Sequence, residues 1–140
     1  MKGVNWLGLV LALVAAEALG FLWYGMVFEQ KWMALSGITA PSDDVMTTQM
    51  LWGVVNTLVI VAGLALAIPR LGKETLAGGA TVGLAAALFF AVPTVAMDVI
   101  YSNDPLELGY IDGAYLVIAF AIAGALIGGV KMPRRAAVAT

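Results

Sequence analysis

Leu58-Val59-Ile60-Val61-Ala62 is apolar at every position. A half-buried strand would alternate apolar and polar side chains, and this run does not. The same character extends outward over 45–69. Blocks 3–28, 75–97 and 113–130 read alike, and the last crossing is expected to reach back to about 108. A helix of roughly 17–25 residues crosses a bilayer core. Each block therefore fits one crossing, the longer ones with some tilt. Lipid offers a bare backbone no hydrogen-bond partner, so helices are the default for such blocks. A transmembrane barrel would show short alternating segments instead.

Composition supports this reading. Of 140 residues, 62% are hydrophobic and 11% charged, and the mean hydropathy is +0.98. Soluble domains sit near 45–50% apolar and about 25% charged. An ordinary soluble globule is excluded, and so is a disordered chain. There is no cysteine and no histidine. No disulfide framework, metal site or cofactor is therefore expected. A net charge of -2 leaves no basic patch for nucleic acid. No GxSxG, Walker loop or HExxH is present, and serines and threonines are scattered. The chain is expected not to be an enzyme, and no catalytic residue is assigned.

Charges set the topology. Every charged residue but Glu17 lies outside the four blocks. Lys2, Arg70, Lys73, Lys131, Arg134 and Arg135 fall on one side, and Lys31 alone among the bases falls on the other. By the positive-inside rule both termini and the loop 70–74 are cytoplasmic. The loops 29–44 and 98–112 then face outward. The first block has the basic start and small residues of a signal peptide, but Glu17 interrupts it and it continues to Phe28. It is therefore expected to remain as a crossing. The fold expected is a single all-α domain over 1–140, a four-helix bundle of a bacterial inner membrane with both termini inside.

Local signals refine this plan. Phe28, Trp32 and Leu35 recur at i, i+4 and i+7, predicting a short amphipathic helix at the outer interface, stopped by Gly37. Pro41-Ser42-Asp43-Asp44 offers N-cap oxygens for the second crossing. Asp104-Pro105-Leu106-Glu107 has the spacing of a capping box, and Gly109 or Gly113 is expected to break the helix it starts. The turn Pro69-Arg70-Leu71-Gly72-Lys73 predicts that helices two and three are antiparallel neighbours. Pro93 is expected to kink helix three and free a carbonyl for Thr94 or a neighbour.

Gly79 and Gly83, and again Gly124 and Gly128, make GxxxG steps that let backbones approach closely. Ala12, Ala16 and Gly20 form a similar stripe. These stripes predict packing within the bundle or a dimer seam, and a homo-oligomer or a membrane-protein partner is expected beside the membrane lipids. Trp23, Trp32 and Trp52 are assigned to the outer aromatic belt, with a ligand cage as the alternative.

Glu17 lies well inside the first crossing. A charge at that depth costs about 2.5–3.5 kcal/mol even on lenient insertion scales, so the side chain should face protein or water. Matching Met26 to Thr47 in an antiparallel pair sets Asn56 opposite Glu17. The two form a polar clasp between helices or a proton or cation site. Asp98, Tyr24 and Lys31 are secondary candidates. Asp98 closes a helix C-terminus against the macrodipole and calls for a base, and Lys31 is the outer one.

Two resemblances enter at these residues. Val4-Asn5-Trp6-Leu7, Gly20-Phe21-Leu22-Trp23-Tyr24-Gly25, Phe28, Trp32-Met33 and Gly37 resemble the family called domain of unknown function 1761. Its members are small bacterial and fungal membrane proteins with about four predicted crossings. The resemblance implies membrane class and topology and carries over no catalytic residue. Leu13-Val14-Ala15-Ala16-Glu17-Ala18-Leu19-Gly20 is similar to the first helix of small multidrug resistance transporters. That likeness implies proton and cation exchange at Glu17 alone, since the outer loops here are long and the family's later tryptophan-glycine motif is not evident.

Three functions stay open at this point. They are a non-enzymatic oligomeric or accessory membrane protein, a proton-coupled transporter or channel using Glu17, and a binder of lipid or another hydrophobic ligand at the outer aromatics.

Overall fold

The computed structural model describes residues 4–39 and 42–131. The expectations resting on Lys2, Pro41, Arg134 and Arg135 lie outside the described residues. Helices are α1 (Trp6–Leu22), α2 (Glu29–Ser36), α3 (Asp43–Arg70), α4 (Leu76–Ala86), α5 (Val92–Tyr101) and α6 (Leu106–Gly129). A widened π-helical turn, Trp23–Val27, extends α1, and another, Ala87–Ala91, joins α4 to α5. Among the described residues, four helices are long and apolar enough to cross a membrane: Trp6–Val27, Asp43–Arg70, Leu76–Tyr101 and Leu106–Gly129. The described residues contain no strand.

Helix α6 is the centre, touching every other helix. Its closest partner is α4, and glycines are the reason. A Cβ built at Gly79 would overlap the Gly124 carbonyl, and one at Gly83 the Phe120 carbonyl. The two GxxxG steps therefore lock α4 on α6 within one protomer, backbone against backbone. On α1, buried Ala12 and Ala16 let α1 lie close along α6. Leu9, Ala12, Val61, Leu64, Ala65, Ile68, Ala123 and Ile127 make the core. All lie in the half of the bundle near the basic end, where Arg70, Lys73 and Lys131 stand. There Asn5 joins two helix ends: its Oδ1 accepts from Gly8 N (3.0 Å), and its Nδ2 donates to Ile127 O (2.8 Å) and Val130 O (2.6 Å). One side chain thus caps the start of α1 and the last carbonyls of α6.

The acidic half is looser. Helix α3 buries Val61, Leu64, Ala65 and Ile68, and nothing between Asp43 and Ile60. Its outer stretch stands away from α1 and α6. At the other end α3 closes with left-handed Gly72 (φ 67°), Gly72 N donating to Pro69 O (3.2 Å) and Lys73 N to Ile68 O (3.0 Å). This is a Schellman stop. Helices α3 and α4 do meet at this turn, but the glycine face of α4 turns to α6. An apolar groove is left between α3 and α4.

Several expectations need correction. Helix α6 runs unbroken through Gly109 and Gly113. A Cβ at Gly109 would press on Val99 Cγ2 (2.7 Å), so this glycine admits α5 rather than ending a helix. The capping box does not form: Pro105 is the N-cap, with no side-chain cap bond, and Glu107 pairs elsewhere. Ser42 is the N-cap of α3 but makes no side-chain cap bond. Lys31 pairs with Glu107, not Asp98, because α2 lies over the start of α6. Gly37 does stop α2, in the left-handed conformation (φ 65°). Pro93 follows the widened turn Ala87–Ala91, where Val92 N–H donates back to Ala87 O. Extra width there relieves the clash of a proline ring with the preceding turn. The Thr94 hydroxyl donates to Phe90 O (2.8 Å).

Candidate functional site

Two polar places interrupt the apolar bundle, and Tyr115 separates them. The first is a cavity of about 250 Å³ between α1, α3 and α6. Glu17, Asn56, Thr57 and Tyr115 supply its polar wall, and Ile60 and Phe120 part of its apolar wall. Glu17 lies eleven residues past Trp6 and ten before Val27, at the middle of its crossing. Glu17 and Asn56 reach the same depth, but no hydrogen bond joins them. Glu17 Oε1 is buried and has no hydrogen-bond partner. The reason is the splay of α3, which holds Asn56 at the exposed rim of the cavity. A buried carboxyl oxygen left unpaired is costly, and such groups call for a function or a ligand.

The hydrogens already committed tell what the cavity can take. Thr57 Oγ1 donates to Gly53 O (3.0 Å), and Tyr115 OH donates to Ala16 O (3.4 Å). Both oxygens keep lone pairs. Glu17 Oε1 and the Asn56 carbonyl add further acceptors, and the Asn56 amide is the remaining donor. Among the described residues, no lysine or arginine lines the space. The wall is thus rich in acceptors and poor in donors. It suits a cation or a proton-carrying group.

The second place is at the acidic end. Asp112 Oδ1 accepts from Tyr24 OH (2.9 Å) and from Trp32 Nε1 (3.2 Å). Trp23 Nε1 donates to Ile111 O (3.2 Å), one residue away. The widened turn Trp23–Val27 carries Trp23 and Tyr24 toward α6, and α2 brings Trp32 from above. Tyr24 packs edge-on against Trp32 (ring centroids 5.3 Å) and Tyr115 (5.0 Å), and Trp23 packs against Phe28 (4.9 Å). Trp23, Tyr24 and Trp32 therefore act as donors to one short stretch of α6, beyond any belt role. Trp52 is 69% exposed on the splayed part of α3. Asp98 is exposed and makes no contact with Lys31.

Sequence reasoning missed Asp112, read there only as a loop acid. The available signal was the spacing of Trp23-Tyr24 and Trp32, which puts three aromatic donors near one outer helix end. Asn5 was likewise quoted only as part of a motif.

A family model described as "Protein of unknown function (DUF1761)" matches residues 7–128. The chain belongs to this family. The DUF1761 match takes in both polar places, from Glu17 through Tyr24, Trp32 and Asn56 to Asp112 and Tyr115, while Asn5 lies just before it. No curated protein and no solved structure matches the chain. With its four apolar helices, this DUF1761 member is a small multi-pass membrane protein.

Proposed function

We propose that the protein is a non-enzymatic carrier or channel that takes a small cationic solute, or a proton, at Glu17. The observation that carries this reading is the buried, unpaired Glu17 Oε1 facing a cavity rich in acceptors. The cavity is backed by the packed core on the basic side and flanked by the splayed half of α3 on the acidic side. That asymmetry favours entry from the acidic end. The distribution of basic residues supports an inner-membrane placement with both termini cytoplasmic, so entry is from outside. The test is flux into proteoliposomes with a pH-sensitive dye inside. Wild type is expected to move protons, with or without added methylammonium, and Glu17→Gln is expected to abolish the movement. Equal flux from both, or none from folded wild type, overturns the proposal.

A second reading, an accessory or homo-oligomeric subunit, draws on the outer half of α3. Met50, Leu51 and Trp52 are exposed there, and no residue of that half is buried. Cysteine at position 52 would crosslink to a partner or a second copy in native membranes. A crosslinked species supports this reading, and its absence removes it.

A further inference from the structure

The groove between α3 and α4 adjoins the Glu17 cavity across Ile60 and Phe120, which line both. Glu17 does not line the groove, however, and the groove's shape and charge point to a ligand of its own. Its volume is about 520 Å³. On α3 its lining runs from Val59 to Leu71, through Gly63 and Ala67. Twelve residues at 1.5 Å each make about 18 Å. One leaflet of a hydrocarbon core is about 15 Å deep, half of roughly 30 Å. The groove thus runs from mid-membrane to one boundary, the span of an acyl chain in a single leaflet. Val82 and Phe89 supply apolar surface on the α4 side. The hydroxyl of Thr81, also at the groove, is turned back to Ala77 O (2.8 Å). The groove is open at Gly63, where an added Cβ would meet nothing within 4 Å.

Charge marks the boundary end. Arg70 immediately precedes Leu71, and Lys73 follows it by two residues. Both are exposed. Arg70 uses Nη1 to donate to Leu66 O (2.7 Å), which anchors the guanidinium beside the last turn of α3. Its planar fork has further donors suited to a phosphate. An apolar slot one leaflet deep, whose mouth carries Arg70 and Lys73 against the single acid Glu74, complements a lipid with an anionic headgroup.

We propose that this groove is a binding site for an anionic phospholipid of the leaflet at the basic end. One acyl chain lies along Val59–Leu71 against α4, and the headgroup phosphate meets Arg70 and Lys73. The site is independent of Glu17, and either can fail without the other.

The test is native mass spectrometry of the full chain, titrated with dioleoyl phosphatidylglycerol or dioleoyl phosphatidylcholine. Each basic residue near a membrane surface favours an anionic headgroup about fivefold, so the pair predicts a preference of roughly 25-fold for phosphatidylglycerol. Arg70→Gln with Lys73→Gln should remove that preference, weakening phosphatidylglycerol far more than the net-neutral phosphatidylcholine. Gly63→Phe, which fills the groove without touching a charge, should weaken both lipids about tenfold. Equal binding of the two lipids by wild type overturns the proposal. So does a preference that survives the double substitution, or lipid binding indifferent to Gly63→Phe. A dimer that Gly63→Phe abolishes, in place of lipid adducts, would assign the groove to a second copy and also overturn it.

Discussion

Asp112→Ala is expected to loosen the acidic end without unfolding the bundle. The wild-type carboxylate accepts two hydrogen bonds on one oxygen, from Tyr24 at 2.9 Å and Trp32 at 3.2 Å. Bonds to a charged group contribute about 1.5–3 kcal/mol each, and orphaned buried donors cost about 1–3 kcal/mol. Tyr24, Trp32 and Asp112 are only half-buried, so water re-satisfies part of what is lost. The expected loss is therefore near the bottom of the range, about 2–3 kcal/mol for both bonds. Asp112→Asn keeps an acceptor in place and should cost about 1 kcal/mol or less. Tyr24→Phe should cost about 1 kcal/mol and lose most of that cost in the Asp112→Ala background, a coupling of about 1 kcal/mol. The assay is reversible unfolding in mixed micelles with increasing dodecyl sulfate, followed by tryptophan fluorescence. Trp23 and Trp32 report on this end directly. A loss under about 0.5 kcal/mol for Asp112→Ala, or zero coupling to Tyr24, would refute the clamp.

Other expectations follow from single contacts and use the same unfolding assay. Gly79→Ala drives a methyl into the Gly124 carbonyl and should destabilise by about 1–3 kcal/mol or more, whereas Gly53→Ala, with nothing within 4 Å, should be neutral or stabilising by up to about 1 kcal/mol. Asn5→Ala removes one cap bond and two bonds to α6 and should cost about 2 kcal/mol. Asn5→Ser, which retains a cap oxygen, should recover about half of that.

The crossings were legible because uninterrupted apolar length has one stable outcome in lipid. The GxxxG steps were legible as close contacts, because a missing Cβ is informative whatever the partner. Structure was needed to choose between a seam inside the protomer and one between protomers. Gly109 and Gly113 misled for a related reason. Glycine costs a helix less where neighbouring helices hold it than where water competes for the backbone, and Gly109 serves a contact with Val99. The register that set Glu17 opposite Asn56 was readable by counting residues. The missing bond between them was not, because it depends on the tilt of α3, which has no local sequence signal. Asp112 escaped for the opposite reason. An acid near a loop looks solvated until Tyr24 and Trp32, some 80 residues earlier, are folded onto it.

The central claim is that Glu17 is an open, unpaired carboxyl in a cavity that admits cations. Labelling with the apolar reagent dicyclohexylcarbodiimide, read by peptide mass mapping, tests it most directly. The account predicts an adduct on Glu17, none at that position in Glu17→Gln, slower labelling when methylammonium occupies the site, and faster labelling at lower pH, because the carbodiimide takes up the carboxyl proton. A Glu17 that stays unlabelled in folded protein, or labels at a rate no cation alters, would contradict it.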